Sequence, residues 1–543
     1  MTATEKSQPG EVSPGTEVPP GRDLPPGYAR RWWVLATMTI CLLVVIMGNT
    51  TLNVAIPTLQ RELGATQGEL QWAVDAYIVV FAGLLFSWGV IGDRIGRRRV
   101  LLIGLTIFAT ASVLAAFSDS PLELIIWRSV MGVGGAAVQP TTLAVITNVF
   151  PADERGRAIG IWAATAGLAV AGGPLASGLA LTHFWWGATF LIGVPVAVLG
   201  VVATLAFVPE SRDPTPGRLD VFGVLLSIVA LGGLVYGIIH GGSGVGWTTP
   251  GVLVPLVGGA LLMALFVWLQ WHSAHPALDV SLFRNPAFSA AAVALGLNFF
   301  ALMGATFYLV YYLQGARGYD PLQSGAALVP VALGMAVMAT RSSRLAERFG
   351  AKAVCATGFA LITLSFLGFQ LLDQTAPLWL LLVTLTVQGM GMGTVMAPAT
   401  ESIMSVVPRE KAGAGAAVNN TVRQVGGALG VAILGSVLAT AYSANLGRAV
   451  DVLPASMRGE ASTSIAATLE TAGTTADRAR ADGETELAAA ADALAGTARE
   501  AFVSAMHLTA IGTAAATTVA AVVVLIWLPG RRREVPAVPD RPS

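Results

Sequence analysis

The chain has 543 residues, of which 54% are apolar and only 12% are Asp, Glu, Lys or Arg, whereas soluble proteins carry about 25% charged residues. Its mean hydropathy is +0.68, and its 32 basic residues balance its 32 acidic residues. So few charges cannot cover a soluble protein of this length, which excludes a typical soluble enzyme, a basic nucleic-acid-binding protein and a disordered chain. The composition predicts an all-α polytopic membrane protein.

Residues 1–30 are rich in Pro, Gly and acids and lack the basic segment and apolar core of a signal peptide, which predicts a disordered cytoplasmic tail. Apolar stretches of about 20 residues, long enough to cross a bilayer as helices, then recur along the chain. The fourteen predicted spans are Trp32–Val54, Leu70–Ile91, Val100–Phe117, Leu122–Val149, Ala158–Leu181, Trp185–Val208, Val221–His240, Val252–Trp271, Ala287–Leu313, Leu322–Thr340, Ala353–Leu372, Leu378–Val406, Gly413–Tyr442 and Ala501–Leu528.

Alternate short loops between these spans are rich in Arg, whereas the opposite short loops hold only Arg61 and Arg317. Because positive residues stay on the cytoplasmic side, this pattern predicts a multi-pass protein of the cell membrane with both termini in the cytoplasm. The long segment Ser443–Glu500 falls on the outer side, where long loops escape the charge rule. We expect it to be a solvated tether, with a helix by propensity over Leu487–Glu500.

The sequence also repeats weakly within itself. Gly92-Asp93-Arg94-Ile95-Gly96 is echoed by Ala346-Glu347-Arg348-Phe349-Gly350, and further anchors recur at nearly the same offset: Gly132 and Gly134 as Gly389 and Gly391, Pro151 as Pro408, and Gly156 as Gly413. This predicts two homologous six-helix halves, 31–210 and 281–528, the second including the loop 443–500. A transmembrane hairpin is inserted at 211–280, and 529–543 is a cytoplasmic tail. Parallel repeats are typical of transporters whose substrate path runs between the halves.

Ionisable residues inside the predicted spans are the first functional candidates, because a charge in hydrocarbon is costly. Asp75 and Arg128 lie at similar depths in the second and fourth spans, so the two can pair across neighbouring helices. Two interpretations stay open. The pair is either a structural ion pair, or protonation of Asp75 competes with Arg128 and biases the side to which a central cavity opens.

Two further ionisable residues lie in the second half. Arg423, near the middle of the thirteenth span, needs a polar cavity or a partner. Glu401, toward the inner end of the twelfth span, is either a coupling acid or a half-solvated structural acid. Amides and aromatic rings are candidates for the cavity lining, although helix packing explains most of them: Asn298, Gln314, Gln388, Asn419, Asn420, Trp72, Trp162, Phe299, Phe300, Tyr308, Tyr311 and Tyr312.

The segment Gly92-Asp93-Arg94-Ile95-Gly96-Arg97-Arg98-Arg99 lies at a tight turn between two spans. Its glycines permit the bend, Asp93 suits a helix start, and the arginines suit the anionic inner leaflet. This spacing resembles the loop signature of the major facilitator superfamily. Leu124, Arg128, Gly132 and Gly134 are similar to the fourth-helix motif of that family, and Gly173, Pro174 and Gly178 to its antiporter motif in the fifth helix.

Gly48-Asn49-Thr50-Thr51-Leu52-Asn53-Val54-Ala55-Ile56-Pro57 resembles the first-helix motif of the fourteen-span drug/proton antiporter branch of that superfamily. The resemblance implies the superfamily's fold and export of drugs in exchange for protons. The family usually has an acid where this chain has Gly48, so the acid's role in proton coupling cannot be carried over. Asp75 becomes the first candidate for that role, together with Arg128 and Arg423, and Glu401 is the alternative acid.

The sequence contains no Gly-Lys dipeptide, so it lacks an ATP-binding phosphate loop, and no residue pattern predicts an enzyme, a metal site or a cofactor. We expect secondary active efflux of lipophilic or amphipathic compounds by proton antiport with alternating access. The expected partners are a small-molecule substrate, protons and the lipid bilayer, without nucleic acid or an ATPase domain. The alternatives are a dedicated exporter of one endogenous product or lipid, and a non-transporting receptor on a transporter scaffold.

Overall fold

The computed structural model describes residues 28–212, 220–273, 280–407, 412–453, 458–459, 461–462 and 464–528. The predicted tails therefore lie outside the described residues, apart from a short turn at Tyr28–Arg30. Within the described ranges the α-helices are α1 (Arg31–Leu63), α2 (Gln67–Ile95), α3 (Arg97–Ala116), α4 (Pro121–Val149), α5 (Ala152–His183), α6 (Ala188–Leu191), α7 (Gly193–Phe207), α8 (Val221–His240), α9 (Pro250–His272), α10 (Pro286–Tyr311), α11 (Pro321–Phe349), α12 (Ala351–Gly368), α13 (Leu378–Val406), α14 (Ala412–Leu446), α15 (Ile465–Ala481) and α16 (Thr485–Trp527).

These helices confirm the predicted all-α, many-spanning fold. Thirteen helical stretches of the described residues are long and apolar enough to cross a membrane, and α6 and α7 together form one of them. The remaining predicted span corresponds to α5, a helix of 32 residues that packs against α1 and α11. A count of fourteen is therefore consistent with the structure. Most helices are longer than the apolar stretches, because their polar first and last turns continue the helix beyond the hydrocarbon.

The two repeats share local structure at corresponding positions. Helices α2 and α11 both start in a capping box, formed by Thr66 with Glu69 and by Asp320 with Gln323. Both helices end at a glycine with positive φ, +114° at Gly96 and +88° at Gly350. A left-handed backbone is accessible mainly to glycine, which explains why this residue recurs at the tight turn.

Helix packing repeats as well. A side-chain carbon added at Gly132 of α4 would lie 2.6 Å from the Tyr77 carbonyl oxygen of α2, and one at Gly389 of α13 would overlap the Val331 carbonyl oxygen of α11. Helix α4 therefore crosses α2 at a close approach, and α13 crosses α11 at the equivalent position of the second repeat. Small residues permit such contacts between membrane helices. The exact boundaries of the two halves stay a prediction.

The inserted hairpin, α8 and α9, covers the seam where α2 of the first half packs on α14 of the second. Trp72 of α2 lies near Tyr236 of α8, with 6.2 Å between ring centroids. Ser436 of α14 donates to the Ile238 carbonyl at 3.0 Å. The hairpin is therefore bound to both halves at this seam.

The described part of the 443–500 segment is folded rather than the solvated tether we expected. Helix α15 packs along the first part of α16, and Arg480 forms an ion pair of 2.6 Å with Asp492 between them. The helix predicted from Leu487 is present, but it continues into the last span as a single helix of 43 residues. Alanines at helical spacing, buried at Ala472 and Ala476, give this segment an apolar face that its polar composition obscured.

Helix α15 also contacts the other half of the molecule. Gln60, near the end of α1, donates to the Ser464 hydroxyl at 2.6 Å in a buried contact. We call this end of the bundle the loop side and the opposite end, where the Arg-rich turns lie, the basic side. The start of α1 lies on the basic side, where Arg31 forms an ion pair of 2.7 Å with Glu154. Helix α12 starts on the basic side, after the turn at Gly350. Helix α16 runs antiparallel to α12, to which it is linked by a hydrogen bond between Thr363 and Thr517, so α16 ends on the basic side.

Candidate functional site

Asp75 is fully buried at the seam between α2 and α14. One helical turn before it, the Gln71 side chain fills the space beside Gly435 of α14, so Asp75 shares the face of α2 that meets the second half. Neither carboxylate oxygen accepts a hydrogen bond from any described residue. Burial of a charged carboxylate without donors is costly, which makes Asp75 the most unusual acid of the described structure.

Arg128 is fully buried in α4 and binds backbone oxygens rather than an acid. Its Nε donates to the Ala73 carbonyl at 2.9 Å and its Nη1 to the Gly48 carbonyl at 2.7 Å. Its guanidinium carbon lies 4.6 Å from the centroid of the Tyr77 ring. Arg128 therefore connects α4 to α1 and α2.

The predicted pairing of Asp75 with Arg128 is absent among the described residues, although their depths agree. Arg128 contacts Ala73 and Tyr77, each two positions from Asp75 along α2. Two positions rotate a side chain by about 200° around an α-helix, so Asp75 points to the opposite face. The depth of a residue in the membrane can be predicted from its position in a span. The direction in which its side chain points can be predicted only when the neighbouring helices are known.

The first-helix motif lies beside Arg128. Its Gly48 supplies the carbonyl that Arg128 binds, and a side-chain carbon at this position would lie 2.5 Å from the tip of the Phe108 ring. That ring occupies the space next to the residue, so no side chain is accommodated here without movement. Asn53 and Pro57 are buried farther along α1, and the Oδ1 atoms of Asn49 and Asn53 have no hydrogen-bond donor among the described residues.

Arg423 lies on α14 at the seam between the halves. Its guanidinium carbon stands 4.4 Å from the centroid of the Phe299 ring on α10. Within the described residues it makes no ion pair, and no hydrogen bond is formed by its side chain. One turn earlier, Asn420 accepts a hydrogen bond of 3.2 Å from Gln139 of the first half.

Asp75 and Arg423 lie on facing helices but at different depths. Gln71 faces Gly435 and the helices are antiparallel, so Asp75 stands near the level of Val431 and Arg423 near the level of Gly83. Eight residues separate these levels, which corresponds to about 12 Å along a helix axis. The structure therefore brings Arg128 to Gly48, and keeps Asp75 and Arg423 apart from it and from each other.

Two further acids lie at the surface of the bundle, the predicted alternative Glu401 and the loop residue Asp373. Glu401 is exposed near the basic-side end of α13. On the loop side, Asp373 accepts the Thr375 backbone N–H at 2.7 Å and its hydroxyl at 2.9 Å. These donors lower the pKa of the Asp373 carboxyl below its ordinary value, so it stays ionised near neutral pH.

The antiporter motif lies where α5 packs on α11. A side-chain carbon at Gly178 would lie 2.6 Å from the Pro321 carbonyl oxygen, and one at Gly325 of α11 would overlap the Pro174 carbonyl oxygen. Gly173 packs equally closely on Thr50 of α1. The contacts of α5 with α11 join the halves on the loop side, whereas the contact of Gly173 with Thr50 lies within the first half. Beneath them lies a cavity of about 30 Å³, lined by residues of both halves that include Thr50, Pro174, Thr306 and Gln388.

The loop motif is an interaction network at the basic side. Gly92 accepts the Gly96 N–H at 3.0 Å and ends α2, and Asp93 binds Arg97 through an ion pair of 2.9 Å. Arg97 also reaches the Ala144 carbonyl of α4 at 3.4 Å. Arg98 donates to the Leu205 carbonyl of α7 at 2.7 Å. Arg94 is exposed.

Sequence analysis missed three glutamines that connect the halves: Gln60, Gln71 and Gln139. An amide in a largely apolar helix was the available signal. Two of the suggested cavity tyrosines pack inside the second half instead. Tyr308 lies edge-on to Phe369 and Tyr311 lies near Phe502, with centroid distances of 6.3 Å and 6.5 Å. No group of three His, Cys, Asp or Glu within the described ranges could hold a metal ion.

Many membrane-crossing helices that repeat their packing are typical of membrane transporters. The family model of the Major Facilitator Superfamily matches residues 38–431, and the chain belongs to this superfamily.

Two relatives and one solved structure show the likeness in detail. The chain is 34% identical to the multidrug resistance protein Stp of Mycobacterium tuberculosis (strain CDC 1551 / Oshkosh) over 75% of each chain. It is 34% identical to the multidrug efflux pump LfrA of Mycolicibacterium smegmatis over 77% of this chain and 82% of the relative. The fold matches that of a bacterial homologue of the human lysosomal transporter Spinster with a TM-score of 0.60, 15% identity, and coverage of 92% and 98%.

Proposed function

We propose that the protein exports lipophilic or amphipathic compounds, including drugs, across the cytoplasmic membrane in exchange for protons. Family membership and the names of the two relatives support drug export. The Arg-rich turns support a cytoplasmic basic side, with both termini in the cytoplasm. The observation that carries the proton coupling is Asp75, an acid buried at the seam between the halves without a hydrogen-bond donor among the described residues.

The seam gives Asp75 a way to couple protonation to movement. A buried carboxylate without donors costs several kcal/mol, so the closed seam accommodates the neutral carboxyl at lower cost than the ion. When the halves separate, water reaches the seam and stabilises the ionised form. Binding and release of a proton thus favour different arrangements of α2 and α14. This is the differential interaction that alternating access between two states requires.

The contacts between the halves on the loop side must break before that side can open. Gly178 on Pro321, Pro174 on Gly325, and Gln60 with Ser464 hold the halves together on that side. Opening toward the loop side requires all of these contacts to separate, whereas the hydrogen bond between Gln139 and Asn420 joins the halves nearer the basic side. The proton gradient would supply the free energy for export. One proton crossing roughly 100 mV supplies about 2.3 kcal/mol, and each unit of pH difference adds about 1.4 kcal/mol.

Replacing Asp75 tests this proposal. In inverted membrane vesicles that acidify their interior, we expect wild-type protein to accumulate Nile red, a neutral lipophilic dye, and Asp75→Asn to lose the proton-driven part. Asp75→Glu keeps a titratable group and should retain part of it. Glu401→Gln is the matched control, because its acid is exposed.

If Asp75→Asn keeps its full proton-driven accumulation and Glu401→Gln loses it, Glu401 and not Asp75 is the coupling acid. Absence of accumulation by the wild type for a panel of lipophilic compounds would contradict export itself.

A further inference from the structure

The charge of Arg423 is not compensated by any described residue. Its helix α14 and the facing helix α10 contain no Asp, Glu, Lys or His and no second Arg. The acid nearest across the seam, Asp75, lies about 12 Å away along the helix axes. A guanidinium has five N–H donors, and leaving them without acceptors inside a membrane protein is costly.

Arg128 shows what a structural arginine looks like in the same bundle. It is fully buried, donates to two backbone carbonyls and lies against Tyr77. Arg423 is partly exposed, lies against the Phe299 ring and makes no hydrogen bond or ion pair with a described residue. Backbone binding therefore gives Arg128 a structural role that Arg423 does not share.

The surroundings of Arg423 combine one cation, amides and an aromatic wall. Asn420 lies one turn away on the same side of α14 and is hydrogen-bonded to Gln139, so both halves of the transporter border the position. The Phe299 ring holds the guanidinium from one side at 4.4 Å and supplies apolar surface beside it. A ligand with an acidic group and a flat apolar body fits this combination, because the acid meets the guanidinium and the body meets the ring.

We propose that Arg423 binds the anionic group of the exported compound, so that the transporter prefers amphipathic acids, bearing a carboxylate or an acidic phenol, over cations of the same shape. This inference rests on the proposed export function and adds the substrate class. The bound anion would accept hydrogen bonds from the guanidinium, which makes none with a described residue. Since both halves border the position, the ligand contacts each of them.

Three probes that share one fluorescent ring system separate charge from hydrophobicity: 9-anthracenecarboxylate, 9-anthracenemethanol and 9-anthracenemethylammonium. Binding to the purified full-length protein is measured by fluorescence titration. We expect the carboxylate to bind about tenfold more tightly than the alcohol, since a desolvated charge-assisted contact has that order of strength, and the ammonium to bind most weakly.

Variants of Arg423 then test whether the preference for the carboxylate depends on this residue. Arg423→Gln should remove the advantage of the carboxylate over the alcohol, whereas Arg423→Lys should keep most of it. Arg341→Gln is the matched control, because Arg341 is exposed near the basic side and bonds only within its own helix. Proton-driven accumulation of the alcohol in inverted vesicles tests export separately.

Equal binding of the three probes to the wild type would overturn the inference, as would a carboxylate preference that survives in Arg423→Gln. The wild-type comparison decides this even if Arg423→Gln does not fold. If neither the alcohol nor the carboxylate is exported while the carboxylate still binds through Arg423, the anion site stands and the proposed export function fails.

Discussion

At the scale of single residues, two arginines in membrane helices have opposite surroundings. Arg128 joins α4 to backbone carbonyls of α1 and α2, whereas Arg423 lies against the Phe299 ring and makes no hydrogen bond or ion pair with a described residue. The same side chain thus serves to fix helices in one place and is available to a ligand in the other. The difference follows from whether backbone acceptors lie within reach of the guanidinium.

Arg128→Gln is expected to destabilise the protein. The change removes two charge-assisted hydrogen bonds and leaves the Gly48 and Ala73 carbonyls without their donor, which corresponds to a loss of about 2–4 kcal/mol. Thermal unfolding followed by intrinsic fluorescence measures the loss, with Arg341→Gln as control. An unchanged unfolding temperature together with lost proton coupling would instead place Arg128 in the coupling machinery.

The residue scale also shows where prediction from the sequence ends. Burial of Asp75 and Arg128 was predictable, because each lies inside an apolar stretch. Their separation was not, because it depends on which face of α2 meets α4 and which meets α14. Gly48 was recognisable as a departure from its family's motif, but only the structure shows that the Phe108 ring lies beside it.

At the scale of helices, the crossing of α5 and α11 is fixed by glycines facing backbone. Gly178 lies against Pro321, while Gly172 of the same helix has no atom within 4 Å of the place of an added side-chain carbon. Two glycines of one helix therefore differ in what a methyl group would meet. The sequence predicted a closely packed helix here, but the identity of its partner came from the fold.

Gly178→Ala should lower export and unfolding temperature, because its methyl group would meet backbone atoms at 2.6–3.0 Å. We expect a cost of about 1–3 kcal/mol, the usual cost of overpacking. Gly172→Ala is the matched control and should behave as the wild type. Nile red export and thermal unfolding measure both variants. Equal behaviour of the two variants would mean that α5 and α11 are not in this close contact in the membrane.

Helices α15 and α16 show a second limit of prediction. Their Ala-rich sequence has high helix propensity, so the presence of helix was predictable from Leu487 onward. The docking of the segment on α1 was not, since it includes a buried contact between Gln60 and Ser464, which are 404 residues apart in the chain. Hydrophobic periodicity reports that a face is buried and does not identify its partner.

At the scale of the whole molecule, the repeat relates fold to function. The capping boxes at Thr66 and Asp320 and the turns at Gly96 and Gly350 occupy corresponding positions of the two halves. The charged residues are not repeated in this way. Asp75 belongs to the first half and Arg423 to the second, and the two differ in sign. The scaffold is therefore nearly symmetric while the groups at the seam are not.

The proposed orientation predicts which residues a membrane-impermeant maleimide reaches in intact cells. Cys41 and Cys355 are buried, so the labelling background should be low. A cysteine replacing Gly473, exposed on α15, should react from outside, and one replacing Arg341 should react only after the membrane is opened. The reverse pattern would place the Arg-rich turns outside the cell.

The central claim is that export is coupled to a proton carried by Asp75. The pH change on addition of Nile red to the purified full-length protein in weakly buffered solution measures this coupling most directly. We predict proton release on substrate addition to the wild type, and none from Asp75→Asn that still binds the dye. Equal proton release from both proteins, or dye binding to the wild type without any release, would contradict the account.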